Sequence, residues 1–147
     1  MVITWVKENL VGWPKRAHGQ LQLYIFGATG MGKTWLFLEL SKYHRVYPAP
    51  QSEDFFDGLN EDTDLVVFDE YNGQQKITWM NSFVDGSIMN VRQKGTQYHK
   101  VKNVACVVMS NIPISQQYAN CPDLVREAFM RRFLVVSVNH KCHVLMY

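Results

Sequence analysis

Apolar positions along the chain fall into short continuous runs and one amphipathic stretch over residues 74–84. The runs predict core strands, and the four-residue run over 65–68, bounded by acids, predicts a strand buried on both faces. They cover residues 21–26, 65–68, 104–109 and 133–138. Helices are predicted over 33–43, 74–84 and 122–130, the second with a stripe of Ile77, Met80 and Phe83 or Val84. This order of elements favours an α/β fold with a parallel sheet.

Shorter patterns fill the intervals. Residues 4–11 predict a helix with Thr4 as its N-cap, residues 45–47 a brief strand, and residues 55–59 a compact turn. Segments 87–92 and 97–102 predict a β-hairpin whose tip carries Lys94 and Gly95. A solvated hairpin with lysines for solubility is the alternative. We expect an N-terminal helix and linker over 1–20, one core domain over 21–139 and a tail over 140–147.

Composition supports one domain with a local basic surface. The chain has 147 residues, is 47% hydrophobic and carries a net charge of +2. Eight of its 13 acids lie between Glu53 and Glu70, whereas none lies from Gly86 to Pro122. That second stretch contains Arg92, Lys94, Lys100 and Lys102, with Tyr98 and His99 between them. Such a patch attracts phosphate whatever the total charge.

Cysteine usage favours a reducing compartment, because Cys106, Cys121 and Cys142 are odd in number and show no CxxC spacing. The tight group of His140, Cys142 and His143 does not fit ordinary zinc spacing. No apolar stretch approaches the ~20 residues that span a bilayer, so we expect a soluble protein without a membrane partner.

Residues 27–34 fit the phosphate-binding loop G-x-x-x-x-G-K-[ST] without a mismatch, between a predicted strand and a predicted helix. They are Gly27, Ala28, Thr29, Gly30, Met31, Gly32, Lys33 and Thr34. Backbone amides of the loop cradle phosphates, Lys33 reaches the β and γ phosphates, and the Thr34 hydroxyl ligates Mg²⁺. A glycine turn in an unrelated α/β protein is the alternative. The motif predicts a nucleoside triphosphate with Mg²⁺ as ligands.

Two further strand ends carry polar residues suited to this chemistry. The run 65–68 ends in Asp69 and Glu70, which predicts a Mg²⁺ carboxylate and a base that activates water. The run 104–109 is followed by Ser110 and Asn111, whose carboxamide can bond the γ-phosphate or the attacking water. Taken singly, the acids are better explained by a strand ending in solvent, and Asn111 by a turn before Pro113.

The ordered series GATGMGKT, FFDGL, LVVFDE, QKGTQYHK, VVMSN and MRRF resembles superfamily 3 helicases. The specific likeness is to the helicase domain of replication initiator (Rep) proteins of circular single-stranded DNA viruses, circovirus-like, over nearly the whole chain. The resemblance implies an AAA+-like P-loop NTPase, with a central parallel sheet flanked by helices and a β-hairpin insertion. It also implies an ATP-dependent helicase that moves 3′ to 5′ along single-stranded DNA during rolling-circle replication.

In that family the subunits form a ring, here expected to be a homo-hexamer, and each ATP site is shared by two subunits. The resemblance assigns Lys33, Glu70 and Asn111 to one subunit and an arginine finger to the next. Arg132 is the first candidate and Arg131 the second, although one or both can instead cap the C-terminal end of their helix. The hairpin residues implied to contact DNA are Arg92, Lys94, Tyr98, His99 and Lys100.

Full-length initiators also carry an endonuclease domain, which nothing in this chain resembles. We therefore expect an isolated helicase domain that does not nick DNA, located in the host nucleus for a eukaryotic DNA virus and otherwise in the cytoplasm. The main alternative is an RNA helicase or NTPase of the positive-strand RNA virus type. A GTP-dependent switch ranks lower because no Asn-Lys-x-Asp motif is present. A small-molecule kinase ranks lower because Glu70 and Asn111 suit the activation of water.

Overall fold

The computed structural model describes residues 2–10, 20–27, 33–51, 55–100 and 104–137. The helices are α1 (Val2–Asn9), α2 (Lys33–Ser41), α3 (Ile77–Asp85) and α4 (Asp123–Met130), and a 3-10 turn covers Ile114–Gln116. The strands are β1 (Gln22–Phe26), β2 (Val46–Pro48), β3 (Leu65–Phe68), β4 (Met89–Gln93), β5 (Thr96–Lys100), β6 (Ala105–Ser110) and β7 (Phe133–Ser137).

Five strands form one parallel sheet in the order β2-β3-β6-β1-β7, while β4 and β5 form a separate antiparallel pair. This confirms the α/β fold with a central parallel sheet and a hairpin insertion. Strand β6 comes late in the chain but lies between β1 and β3. Any group at the end of β6 is therefore flanked by the ends of both earlier strands.

The central strands β3 and β6 of the sheet are buried on both faces, as predicted for the run 65–68, whereas the edge strand β7 exposes Val135. Successive strand residues point to opposite faces. One face packs against α3 and α4 through Tyr24, Val66, Phe68, Cys106 and Val108. The other packs against α1 and α2 through Leu23, Ile25, Leu65, Val67, Val107 and Met109. The sheet is thus the middle layer of three. In such folds, ligands bind at the carboxyl ends of the strands, which the helices leave uncovered.

Helix α1 packs on the second face. Trp5 is 2% exposed, and its indole Nε1 donates to the Leu21 carbonyl at 3.0 Å. The buried Gln22 amide donates to Asn9 Oδ1 at 3.1 Å and accepts from the Cys106 amide at 2.9 Å. One side chain therefore links α1, β1 and β6.

Two predicted helix starts were wrong. Thr4 is not an N-cap, because α1 already begins at Val2. Helix α3 begins at Ile77 and not at Gln74, because the Gln74 side chain bonds the local backbone in a turn. Its Nε2 donates to the Glu70 carbonyl at 3.0 Å and its Oε1 accepts from the Asn72 amide at 2.6 Å. The α3 stripe itself is confirmed, because Ile77, Met80, Phe83 and Val84 are all buried.

None of the helices in the described ranges has the length and apolar character needed to cross a membrane.

Candidate functional site

The carboxyl ends of β1, β6 and β3 meet at one edge of the sheet. Phe26 pairs with Ser110, and the following Gly27 amide donates to the Ser110 carbonyl at 3.2 Å. On the other side of β6, Phe68 pairs with Val108, and the Tyr71 amide donates to the Met109 carbonyl at 2.9 Å. The edge therefore brings together the first residue of the phosphate-loop motif and the residues that follow β3 and β6.

The motif is described at its two ends. Gly27 is buried at the end of β1, and α2 begins at Lys33 and continues through Thr34. Ala28, Thr29, Gly30, Met31 and Gly32 lie outside the described residues, as do the side chains of Lys33 and Thr34. The described part agrees with the predicted context of a strand before the loop and a helix after it.

Asp69 and Glu70 form the turn that leaves β3. Asp69 is half-buried, and its Oδ1 accepts the Glu70 amide at 2.9 Å. Glu70 is exposed and has a φ of +49°, a conformation that costs a non-glycine residue about 1–2 kcal/mol. The bonds from Asp69 and Gln74 hold this backbone in place. Residues in such conformations concentrate at functional sites, and the role of Glu70 as a base stays a prediction.

Asn111 is exposed and directly follows β6. Its neighbour Ser110 accepts from Gly27 through its carbonyl and donates through its hydroxyl to the Tyr71 carbonyl at 2.7 Å. Asn111 therefore leaves the sheet between the start of the phosphate loop and the turn of Asp69 and Glu70.

A buried glutamine that the sequence did not single out connects β1, β6 and the turn after β3. Gln117 is 2% exposed, and its Nε2 lies 2.9 Å from Tyr24 Oη, 2.9 Å from the Tyr71 carbonyl and 3.1 Å from Ser110 Oγ. It thus joins β1, the turn after β3 and the end of β6. Its segment shows no motif, so the role is visible only once the chain is folded.

Three tyrosines complete this network. The hydroxyls of Tyr71 and Tyr118 bond each other, Tyr118 donates to the Gln75 carbonyl at 2.7 Å, and Tyr24 donates to the Ile112 carbonyl at 2.7 Å. Burial raises the pKa of Tyr71 to about 12. Burial also raises the pKa of Tyr118, helped by the neighbouring Tyr71, and that of Tyr24. All three hydroxyls are therefore neutral hydrogen-bonding groups near pH 7.

The two candidate arginines have different surroundings. Arg132 is paired with Asp85 through Nε to Oδ1 and Nη2 to Oδ2, both at 2.9 Å, and its Nη1 donates to the Ala128 carbonyl. It therefore caps α4, the alternative that the sequence left open for one of the pair. Arg131 is exposed beside Glu127 and Met130, and its side chain has no hydrogen bond or ion pair within the described ranges.

The hairpin is confirmed, with a two-residue tip. Gln93 pairs with Thr96, and between them Lys94 is exposed and Gly95 has a φ of +74°. Of the other predicted DNA-contacting residues, Arg92 lies on β4, and Tyr98, His99 and Lys100 lie on β5. Their side chains are outside the described atoms, so only their place in the hairpin is established.

Within the described ranges, no group of three or more His, Cys, Asp and Glu residues has the arrangement of a metal site. His140, Cys142 and His143 lie outside those ranges. Cys106 is a buried free thiol of β6, and Cys121 is a half-buried one.

No family model and no curated protein matches this chain. A crystal structure of JCV (JC virus) helicase bound to a thiazolopyridine acetamide compound is similar in fold, with a TM-score of 0.61 and 16% sequence identity. The match covers 92% of this chain and 39% of that one, so this chain spans about two fifths of the length of that helicase. Together with the sheet and the loop context, this likeness establishes an α/β P-loop NTPase fold.

Proposed function

We propose that this protein is an ATP-dependent helicase that translocates on single-stranded DNA and hydrolyses ATP between the subunits of a ring, in rolling-circle replication of a viral genome. One observation carries the proposal. The carboxyl ends of β1, β3 and β6 share one edge, so that the start of the phosphate loop, Asp69 with Glu70, and Asn111 come together. The similar fold of JCV helicase adds support for a helicase or NTPase.

Each residue at this edge has a distinct chemical role. The amides of residues 27–34 bind the phosphates, and Lys33 neutralises charge on the β and γ groups. Asp69 and Thr34 would hold Mg²⁺, which suits them because it prefers oxygen ligands. A bound Mg²⁺ supplies stabilisation of the charge that develops on the transferred phosphoryl group. Glu70 accepts a proton from the attacking water, and Asn111 orients that water through its carboxamide.

The arginine finger is assigned from the contacts of the two candidates. The side chain of an arginine finger must extend across the subunit interface to the γ-phosphate bound by the neighbouring subunit. Such a residue raises the rate of hydrolysis by a factor of about 10³ or more. Arg132 would have to break its pair with Asp85 to do so, whereas Arg131 is exposed already. We therefore place Arg131 ahead of Arg132, which reverses the order suggested by the position of each within MRRF.

The hairpin supplies the contact with nucleic acid. Its tip presents Lys94 on a separate two-stranded ribbon, in a stretch of the chain that contains no acid. Contacts with the phosphate backbone bind without reading sequence and weaken as salt increases. Arg92, Tyr98, His99 and Lys100 are the further DNA contacts that we propose on the same ribbon, with Tyr98 as a residue that stacks on a base.

The alternative is an RNA helicase or NTPase of the positive-strand RNA virus type, because backbone contacts at Lys94 suit either nucleic acid. Unwinding of matched DNA and RNA duplexes with single-stranded tails separates the two functions. We expect the DNA duplex to be unwound faster. Preference for the RNA duplex would support the alternative instead.

The proposed site is tested by two substitutions in the purified protein. Lys33→Ala should abolish ATP hydrolysis, and Glu70→Gln should bind ATP but stop turnover. Hydrolysis by Lys33→Ala above about a tenth of the wild-type rate, a loss of under 1.4 kcal/mol, would refute the loop assignment. Rapid phosphate release by Glu70→Gln would refute its role as the base. Urea unfolding of both variants checks that the fold is retained.

A further inference from the structure

The turn over residues 55–59 bonds directly to the tip of the hairpin. The Gln93 amide nitrogen donates to the carbonyls of Phe56 and Leu59, both at 2.9 Å. The Lys94 backbone N–H donates to Asp57 Oδ1 at 2.8 Å. These three hydrogen bonds span 34 to 37 residues of sequence, so they fix the tip against a distant part of the chain.

The turn is itself firmly anchored. Phe56 is 2% exposed, and its ring stacks on Trp79 at a centroid distance of 5.2 Å and meets Phe68 edge-on at 6.5 Å. The Tyr47 hydroxyl donates to the Asp57 carbonyl at 2.8 Å. Phe68 is the last residue of β3 and directly precedes Asp69. The turn is therefore held on the strand that leads into the nucleotide site.

The hairpin needs such a support. A two-stranded ribbon on its own is marginally stable, and β4 and β5 pair only with each other among the described strands. Val91 is buried and anchors the middle of β4, but Lys94 and Gly95 are exposed at its end. Without the bonds to residues 55–59, the direction of the Lys94 side chain would depend on the turn conformation alone.

We propose that Asp57 and Gln93 are positioning residues that hold the hairpin tip on the sheet, so that Lys94 meets nucleic acid in one fixed orientation relative to the nucleotide site. The inference rests on the proposed function, because it requires Lys94 to contact nucleic acid. Neither residue itself contacts the nucleic acid. Asp57 acts through the Lys94 backbone, and Gln93 acts through the carbonyls of the turn.

The charge of Asp57 allows a sharp test. A carboxylate beside Lys94 repels phosphate, so removing its charge alone should strengthen binding. Removing its hydrogen-bond acceptor should weaken binding, because the tip loses its orientation. Asp57→Asn removes the charge but keeps an oxygen that accepts from Lys94, whereas Asp57→Ala removes both. Gln93→Met removes the two N–H donors at similar shape without adding charge.

The experiment measures amide hydrogen exchange at Lys94 without ligands, and the affinity for a fluorescent single-stranded oligonucleotide by anisotropy. For Asp57→Ala and Gln93→Met we expect the Lys94 amide to exchange about tenfold faster and the oligonucleotide to bind about three- to tenfold more weakly, because each variant loses one or two hydrogen bonds that hold the tip. Asp57→Asn should exchange like the wild type and bind as tightly or more tightly. Urea unfolding should show a modest loss of stability for Asp57→Ala and Gln93→Met, which lose hydrogen bonds, with all three variants fully folded at zero denaturant.

Two results overturn the inference while leaving the proposed function intact. One is equal affinity of Asp57→Ala and Asp57→Asn, which would leave only a charge effect. The other is unchanged exchange at the Lys94 amide in Asp57→Ala. Lys94→Ala is the reference, because it keeps the N–H that bonds to Asp57. If Lys94→Ala binds the oligonucleotide as the wild type does, the proposed role of the hairpin fails and the inference fails with it.

Discussion

Replacement of Arg132 by alanine should lower stability, because its guanidinium joins the ends of two helices. Asp85 is the last residue of α3, where a negative charge interacts unfavourably with the helix dipole. Arg132 neutralises this charge through two hydrogen bonds of 2.9 Å. Arg132 also caps α4 at the Ala128 carbonyl. The C-terminal ends of α3 and α4 are therefore both held by the Arg132 side chain.

The magnitude follows from geometry and exposure. A hydrogen bond to a charged group contributes about 1.5–3 kcal/mol, but the two side chains are 27% and 29% exposed, so water compensates part of the loss. We expect Arg132→Ala to lower the free energy of unfolding by about 2 kcal/mol, and Tm by about 4–8 °C for a chain of this length. Arg131→Ala is the matched control and should change stability by less than about 0.5 kcal/mol.

The coupling energy between Arg132 and Asp85 is measured by urea unfolding of Arg132→Ala, of Asp85→Ala and of the double variant. We expect it to be about 1–2 kcal/mol. Activity separates the two arginines. Arg131→Ala should be folded and inactive, and mixing it with Lys33→Ala subunits should restore part of the hydrolysis in mixed rings. A coupling energy near zero would refute the structural role of the Arg132–Asp85 pair, and full activity of Arg131→Ala would refute its assignment as the finger.

Two further predictions concern the buried network. Gln117→Met should change the free energy of unfolding by under about 1 kcal/mol. It removes hydrogen bonds worth about 1 kcal/mol each, but it also removes the buried Oε1, which has no hydrogen-bond partner among the described residues. Its ATP turnover should nevertheless fall about tenfold as the strand ends loosen, and unchanged turnover would contradict the positioning role. Stability should also decline from pH 10 to 12. In this range the unfolded chain loses the Tyr71 proton, because its pKa is near 10, whereas the folded protein keeps it, because burial raises the pKa to about 12. Tyr71 alone should therefore lower the free energy of unfolding by about 1.4 kcal/mol per pH unit. Urea unfolding of Tyr71→Phe should show a shallower decline, and an equal one would exclude Tyr71 as its source.

Much of the fold was predictable because its signals are local. The apolar runs of β1, β3 and β6 are continuous, so their burial on both faces could be inferred from a few residues each. The hairpin tip was predictable for the same reason, because the dipeptide Lys94-Gly95 includes the residue best suited to a positive φ. The helix starts were less predictable, because the Gln74 side chain competes with the helix for the same backbone groups.

By itself, the sequence determined the phosphate-loop motif, the acids after β3, the amide after β6 and the α/β order of elements. Only the tertiary structure decided that β6 lies between β1 and β3 and that Arg132 pairs with Asp85. It also decided that Gln117 joins β1, the end of β6 and the turn after β3, and that Asp57 bonds the Lys94 backbone. The physical reason is the range of the interactions. Motifs and strands arise from neighbouring residues, whereas strand order and buried hydrogen bonds arise from groups that come into contact only when the whole sheet packs.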